Sequence, residues 1–75
     1  MTAKDAVRIN LEVANICMVQ EQAWGNRYRV AYQMGGPGYE RKMQYAQNNM
    51  RKWRRRYGRA LEGDTRLINA VIRWL

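Results

Sequence analysis

Four consecutive residues, Gly35-Gly36-Pro37-Gly38, divide the 75-residue chain almost in half, and none of the four favours a helix interior. Any long regular element must stop there. A chain this short has room for one small core, so a single domain over residues 1–75 is expected. Such a domain buries only about 60% of the surface its unfolded chain exposes, and pairing with a second copy is an expected source of further stability.

Charge is unequal on the two sides of the break. Before it, Lys4, Arg8, Arg27 and Arg29 face Asp5, Glu12 and Glu21, four against three; after it, ten Lys/Arg face Glu40, Glu62 and Asp64. Of the formal net charge of +8, the second half therefore carries +7. With 47% apolar residues, three Trp and five Tyr, the chain is too hydrophobic to be a disordered basic tail.

The second half also has the clearest periodicity. Tyr39, Met43, Ala46, Met50, Trp53, Tyr57 and Ala60 recur at alternating spacings of four and three, which lines one stripe of an α-helix over residues 39–61. Gly38 and Gly63 are placed to close its ends, and Gly58 is expected to weaken it by about 1 kcal/mol and to allow fraying or a bend.

Two periods compete in the first half. Val7, Ile9, Leu11 and Val13, and later Tyr28, Val30, Tyr32 and Met34, alternate with polar residues as strands do, with Gly25-Asn26 as a turn, so a β-hairpin over residues 7–34 is one reading. The other is a helix over residues 3–33, with a kink near Gly25. Val7, Leu11, Ala14, Met18, Trp24, Tyr28, Ala31 and Tyr32 would form its apolar stripe, opposite Lys4, Arg8, Asn15, Gln22, Asn26 and Gln33. The strand pattern loses phase at Ala14 and the helical stripe does not. Thr2-Ala3-Lys4-Asp5 further resembles a capping box, so helix is the expectation.

Asp64 is a good N-cap for a third helix over residues 65–75, whose Leu67, Ile68, Val71, Ile72, Trp74 and Leu75 fall on one face. The expected fold is all-α: a hairpin of two long antiparallel helices joined at the Gly-rich turn, a short third helix docked on it, and dimerisation into a bundle.

Little catalytic chemistry is on offer. The chain has no His, and its six carboxylates are scattered, mostly near expected helix ends, so no enzyme activity, cofactor or small-molecule substrate is expected. One Cys and no His cannot supply the usual zinc ligands, and the acids lack EF-hand spacing, so no metal is expected. Cys17, within Ile16-Cys17-Met18-Val19, reads as a small buried hydrophobe in a reducing, cytoplasmic compartment. No targeting segment and no membrane span are expected. The Gly-rich turn lacks the Gly-Lys-Ser/Thr of a phosphate loop and reads as a connection.

The informative constellation runs from residue 41 to residue 59, where eight cations occur without an acid: Arg41, Lys42, Arg51, Lys52, Arg54, Arg55, Arg56 and Arg59. With Met50, Trp53 and Tyr57 turned inward, Arg51, Lys52, Arg55, Arg56 and Arg59 should surround the solvent face, while Arg54 folds its stem over the seam. A face that is merely solvated usually mixes signs, whereas Arg51/Arg55 and Arg55/Arg59 are like-charge pairs one turn apart. Gln44, Tyr45, Asn48 and Asn49 extend the ridge with hydrogen-bonding and stacking groups. A helix-turn-helix is disfavoured by the length of helix 39–61.

Two functions fit. One is a small regulatory nucleic-acid-binding protein, DNA or RNA, acting as a homodimer; the other is an inhibitor or adaptor that lays the basic helix on an acidic protein surface. In both, binding is assigned to Arg41, Lys42, Gln44, Asn48, Arg51, Lys52, Arg55, Arg56 and Arg59. The size and residue usage are compatible with an accessory protein of a phage or mobile element.

Overall fold

The computed structural model describes residues 3–74. Three helices follow one another, α1 over Ala3–Met34, α2 over Tyr39–Leu61 and α3 over Thr65–Trp74, and no strand occurs among the described residues. The expected capping residue Thr2 and the last residue, Leu75, lie outside them. α1 and α2 pack antiparallel: Asn10 lies beside Gly63, Gly25 beside Met50, and Trp24 beside Tyr45.

The connection between them depends on left-handed backbone. Gly35, Gly36 and Gly38 have φ of 59°, 84° and 78°, a region that costs a residue with a Cβ roughly 1–2 kcal/mol. The Gly35 amide donates to the Ala31 carbonyl (3.1 Å) and the Lys42 amide to the Gly38 carbonyl (3.1 Å), so the turn ends one helix and opens the next.

α1 continues through Gly25 as one helix. A glycine inside a long, well-packed helix costs about 1 kcal/mol, which the contacts of α1 with α2 outweigh. Here a small residue also suits the interface, since the Met50 methyl lies 3.6 Å from where a Cβ would sit. α2 likewise passes through Gly58 without a break.

The α2 seam matches its periodicity residue for residue. Ala46, Trp53 and Ala60 are buried, and Tyr39, Met43, Met50 and Tyr57 are half-buried. The α1 stripe matches only in part, with Ala14 buried and Trp24, Tyr28 and Ala31 half-buried. Val7 (57% exposed), Leu11 (55%), Met18 and Tyr32 face solvent, and the buried residues are Val13, Ala14 and Cys17. The reason is phase. The expected stripe steps by six residues between Met18 and Trp24, whereas two turns of a helical stripe advance by seven. Trp24, Tyr28 and Ala31 settle the rotation of α1 against α2, and seven residues back from Trp24 is Cys17.

α3 closes one end. Val13, Ala14, Cys17, Trp53, Ala60, Leu67, Ile68 and Val71 form one buried cluster, edged by Ile9, Ile16, Trp24 and Tyr57. Trp74 meets Trp53 edge to face at 5.2 Å. The Leu67 amide donates to Asp64 Oδ1 (3.2 Å), so Asp64 caps α3. Near the turn the hairpin has no comparable closure, and Ala46 is the one buried residue there. The molecule is therefore elongated, 52 × 19 × 17 Å, with a radius of gyration of 14.9 Å.

Candidate nucleic-acid interface

The α2 seam determines where the cations of that helix lie. Two residues beyond each seam position is about 200° around the helix, so the backbone positions of Arg41, Tyr45, Asn48, Lys52, Arg55 and Arg59 share the side opposite α1, although the Tyr45 ring turns back to meet Trp24 of α1. All six are exposed. From Arg41 to Arg59 this stripe is about 27 Å long at 1.5 Å per residue. Lys42 and Arg56 flank it on one side, and Arg51 and Arg54 on the other.

The eight cations are not equivalent. Arg41, Lys42, Arg51, Lys52, Arg54 and Arg55 are exposed, and among the described residues no ion pair engages them. Arg59 is engaged: its guanidinium lies 2.8 Å from Asp64 Oδ2, and its Nε donates to the same oxygen at 2.9 Å. The sequence expectation of an unneutralised row therefore fails at its C-terminal end. The acid that neutralises Arg59 lies five residues along, beyond the helix, where the turn brings it back. Arg56 also departs from expectation. It is half-buried with its guanidinium 4.6 Å from the centre of the Trp53 ring, so it supports the core edge and is not fully on the solvent face.

Arg54 stands beside the seam, next to the seam residue Met50. It is exposed and lines a shallow hollow of about 200 Å³ with Glu21, Gln47, Met50 and Arg51. Of the polar residues, Gln44 Nε2 donates to Asn48 Oδ1 (2.9 Å) and Asn49 Nδ2 donates to the Tyr45 carbonyl (2.9 Å). These side chains are held along the helix rather than extended as free readers of bases.

Two pKa shifts accompany this architecture. Asp64 is held below the ordinary aspartate range, first by the Leu67 amide and then by the Arg59 side chain. Cys17 is buried, and desolvation pushes its thiol up, with the charge of Arg56 opposing. A thiol raised in this way is a poor nucleophile, which agrees with a structural role.

The turn half of the molecule holds a feature the sequence reading missed. Trp24, Arg27, Val30, Met34, Lys42 and Tyr45 line an open cleft of about 500 Å³ between α1 and α2. Its aromatic wall is built edge to face, with the Trp24 and Tyr45 ring centres 5.3 Å apart at 83°. The Arg27 guanidinium lies 4.3 Å over Trp24, and Lys42 stands on the other helix. The signal available in the sequence was the pair of i,i+3 spacings, Trp24 with Arg27 and Lys42 with Tyr45, each uniting an aromatic ring and a cation on one helix face.

Among the described residues no three His, Cys, Asp or Glu side chains come together as metal ligands would, and no helix is long and apolar enough to cross a membrane. Comparison with protein-family models, with curated proteins and with solved structures finds no match to this chain, so its own residues carry the functional reading.

Proposed function

We propose that this protein is a small helical nucleic-acid-binding module that neutralises backbone phosphates with the outward face of α2, and that it works as a homodimer paired through α1. The observation that carries this reading is the set of six exposed cations, Arg41, Lys42, Arg51, Lys52, Arg54 and Arg55, with no acid engaging them among the described residues. Crowding like charges at i,i+4 costs a few tenths of a kcal/mol per pair, and a polyanion relieves that repulsion. Four of the six are Arg, whose planar fork matches phosphate geometry. Phosphate contact supplies affinity, whereas Gln44, Asn48 and Asn49 must exchange their bonds within the helix before reading a base. The role is one of binding, with no catalytic step or cofactor.

Shape and surface support the dimer. A compact chain of this length has a radius of gyration near 11 Å, below the 14.9 Å of this molecule. Its accessible surface of 5921 Å² exceeds the roughly 4,800 Å² of a compact protein of its mass by more than the roughly 800 Å² that one partner buries in a standard interface. α1 carries the exposed stripe of Val7, Leu11 and Met18 and is nearly neutral, so pairing there brings no basic faces together.

Fluorescence anisotropy with a labelled 20-mer duplex and a labelled 20-mer single strand tests the reading. Combined replacement Arg51→Gln, Lys52→Gln, Arg55→Gln should weaken binding on the order of 100-fold or more at 0.1 M salt with the helical circular dichroism unchanged. Equal affinity of this variant and the wild type would contradict it. Arg59 is left intact because its loss would also disturb the end of α2.

A further inference from the structure

We infer that the cleft beside the Trp24–Tyr45 pair, between α1 and α2, receives an unpaired nucleobase, so that the protein engages single-stranded nucleic acid in preference to duplex. This rests on the nucleic-acid reading of α2 and adds a second, chemically different contact to it.

Three observations carry the inference. The first is the state of the aromatic groups. Tyr45 is 63% exposed although its ring edge-contacts Trp24, so most of its surface is open to a second planar group. The second is that the cleft is lined chiefly by apolar and aromatic side chains, with Val30 half-exposed and Met34 79% exposed at its wall, while its polar lining is Asn26 and one cation from each helix, Arg27 and Lys42. An apolar slot with a cationic rim matches the two parts of a nucleotide, a flat base and its phosphate. The third is continuity. Tyr45 sits at the edge of the outward stripe that holds Arg41, Lys52 and Arg55 and turns its ring back toward Trp24, so a strand that neutralises the row passes the mouth of the cleft.

A duplex cannot use this site. Its bases are stacked on one another and paired, so none presents a free face to Tyr45 without being extruded. A single strand offers such a face at each nucleotide, and stacking is tolerant of base identity. Arg27 is already poised over Trp24, which adds a guanidinium plane to the same ladder of flat groups.

The test is anisotropy on the full chain with labelled oligo(dT) and oligo(U) of 20 nucleotides, a duplex of equal length, and a Phe-rich acidic peptide of similar charge. These probes are titrated against wild type, Tyr45→Ala and Tyr45→Phe. Wild type should bind at least one of the single strands about tenfold or more tightly than duplex. Tyr45→Ala should weaken that strand by about 5- to 150-fold, the range found for loss of one stacked base, and leave duplex binding unchanged. Tyr45→Phe, which keeps the ring, should retain the preference.

If Tyr45→Ala leaves single-strand affinity unchanged while the Arg51→Gln, Lys52→Gln, Arg55→Gln variant loses it, the cleft assignment is overturned and the basic-face reading stands. If the wild type binds neither strand nor duplex, both fail. Peptide binding that depends on Tyr45 while binding of neither strand does would assign the cleft to an acidic protein and overturn the inference. Tyr45 is exposed and outside the buried cluster, so its replacement should leave the thermal midpoint within a few degrees.

Discussion

At the end of α2, three residues make a joint that sets the position of α3. Gly63 takes φ of 78°, its amide donating to the Ala60 carbonyl (3.0 Å), while the Asp64 amide donates to the Arg59 carbonyl (3.1 Å). This is the paired bonding of a Schellman end. In place of the hydrophobic contact that often accompanies it, Arg59 and Asp64 join by an ion pair, and Asp64 then caps α3. A Cβ at Gly63 would sit 3.1 Å from Asn10 Nδ2 as well as in left-handed backbone. Gly63→Ala should therefore cost about 1–2 kcal/mol and lower the Tm by roughly 4–16 °C, read by thermal circular dichroism. Because the folded-state pKa of Asp64 is depressed, its contribution is present above the unfolded aspartate pKa and lost as pH falls through the lower folded value. Asp64→Asn should accordingly be less stable than wild type at pH 7, with the gap in urea midpoint closing below pH of about 4. A gap independent of pH would remove the ion pair from the account.

The helices differ in how far each is committed to the core. Trp53 is buried at the centre of the cluster and meets Trp74, so Trp53→Ala should cost about 3–5 kcal/mol. That is comparable with the whole stability of a domain this size, and loss of the helical signal at 25 °C is expected. Leu11→Ser, on the exposed stripe of α1, should change the fold by no more than about 0.5 kcal/mol while weakening the proposed dimer in sedimentation equilibrium. This contrast also explains how much of the fold was legible in the sequence. α2 could be read because its seven seam residues keep one phase over three heptads and its other residues are polar. α1 could be read as a helix but not in rotation. Apolar residues lie on too much of its circumference, and only contact with Trp24, Tyr28 and Ala31 decides that Cys17, and not Met18, faces inward. At the site, the exposure of Arg51, Lys52 and Arg55 follows from the seam alone. The capture of Arg59 by Asp64 and the stacking of Arg56 on Trp53 follow from a turn and a ring edge, neither of which periodicity describes. The cleft was not legible because its two walls are some 20 residues apart in the chain and meet only when the hairpin closes.

As a whole the molecule is a rod with its core at one end, its basic helix along one side and an open aromatic cleft near the turn. An elongated two-helix body cannot enclose a core along its full length, which leaves both α1's apolar stripe and the cleft available to partners. The basic face is extended in the same way, so phosphates can be met in sequence along the rod and not at one point. The central claim is that the six exposed cations of α2, those of the outward face with Lys42 and Arg54 at its flanks, contact the nucleic-acid backbone, and the salt dependence of affinity counts such contacts most directly. Six contacts predict that log K falls with log salt at a slope near −5 on duplex DNA and near −4 on a single strand, and the Arg51→Gln, Lys52→Gln, Arg55→Gln variant should show about half of each. A wild-type slope shallower than about −2 on both, or one unchanged in the variant, would contradict the account.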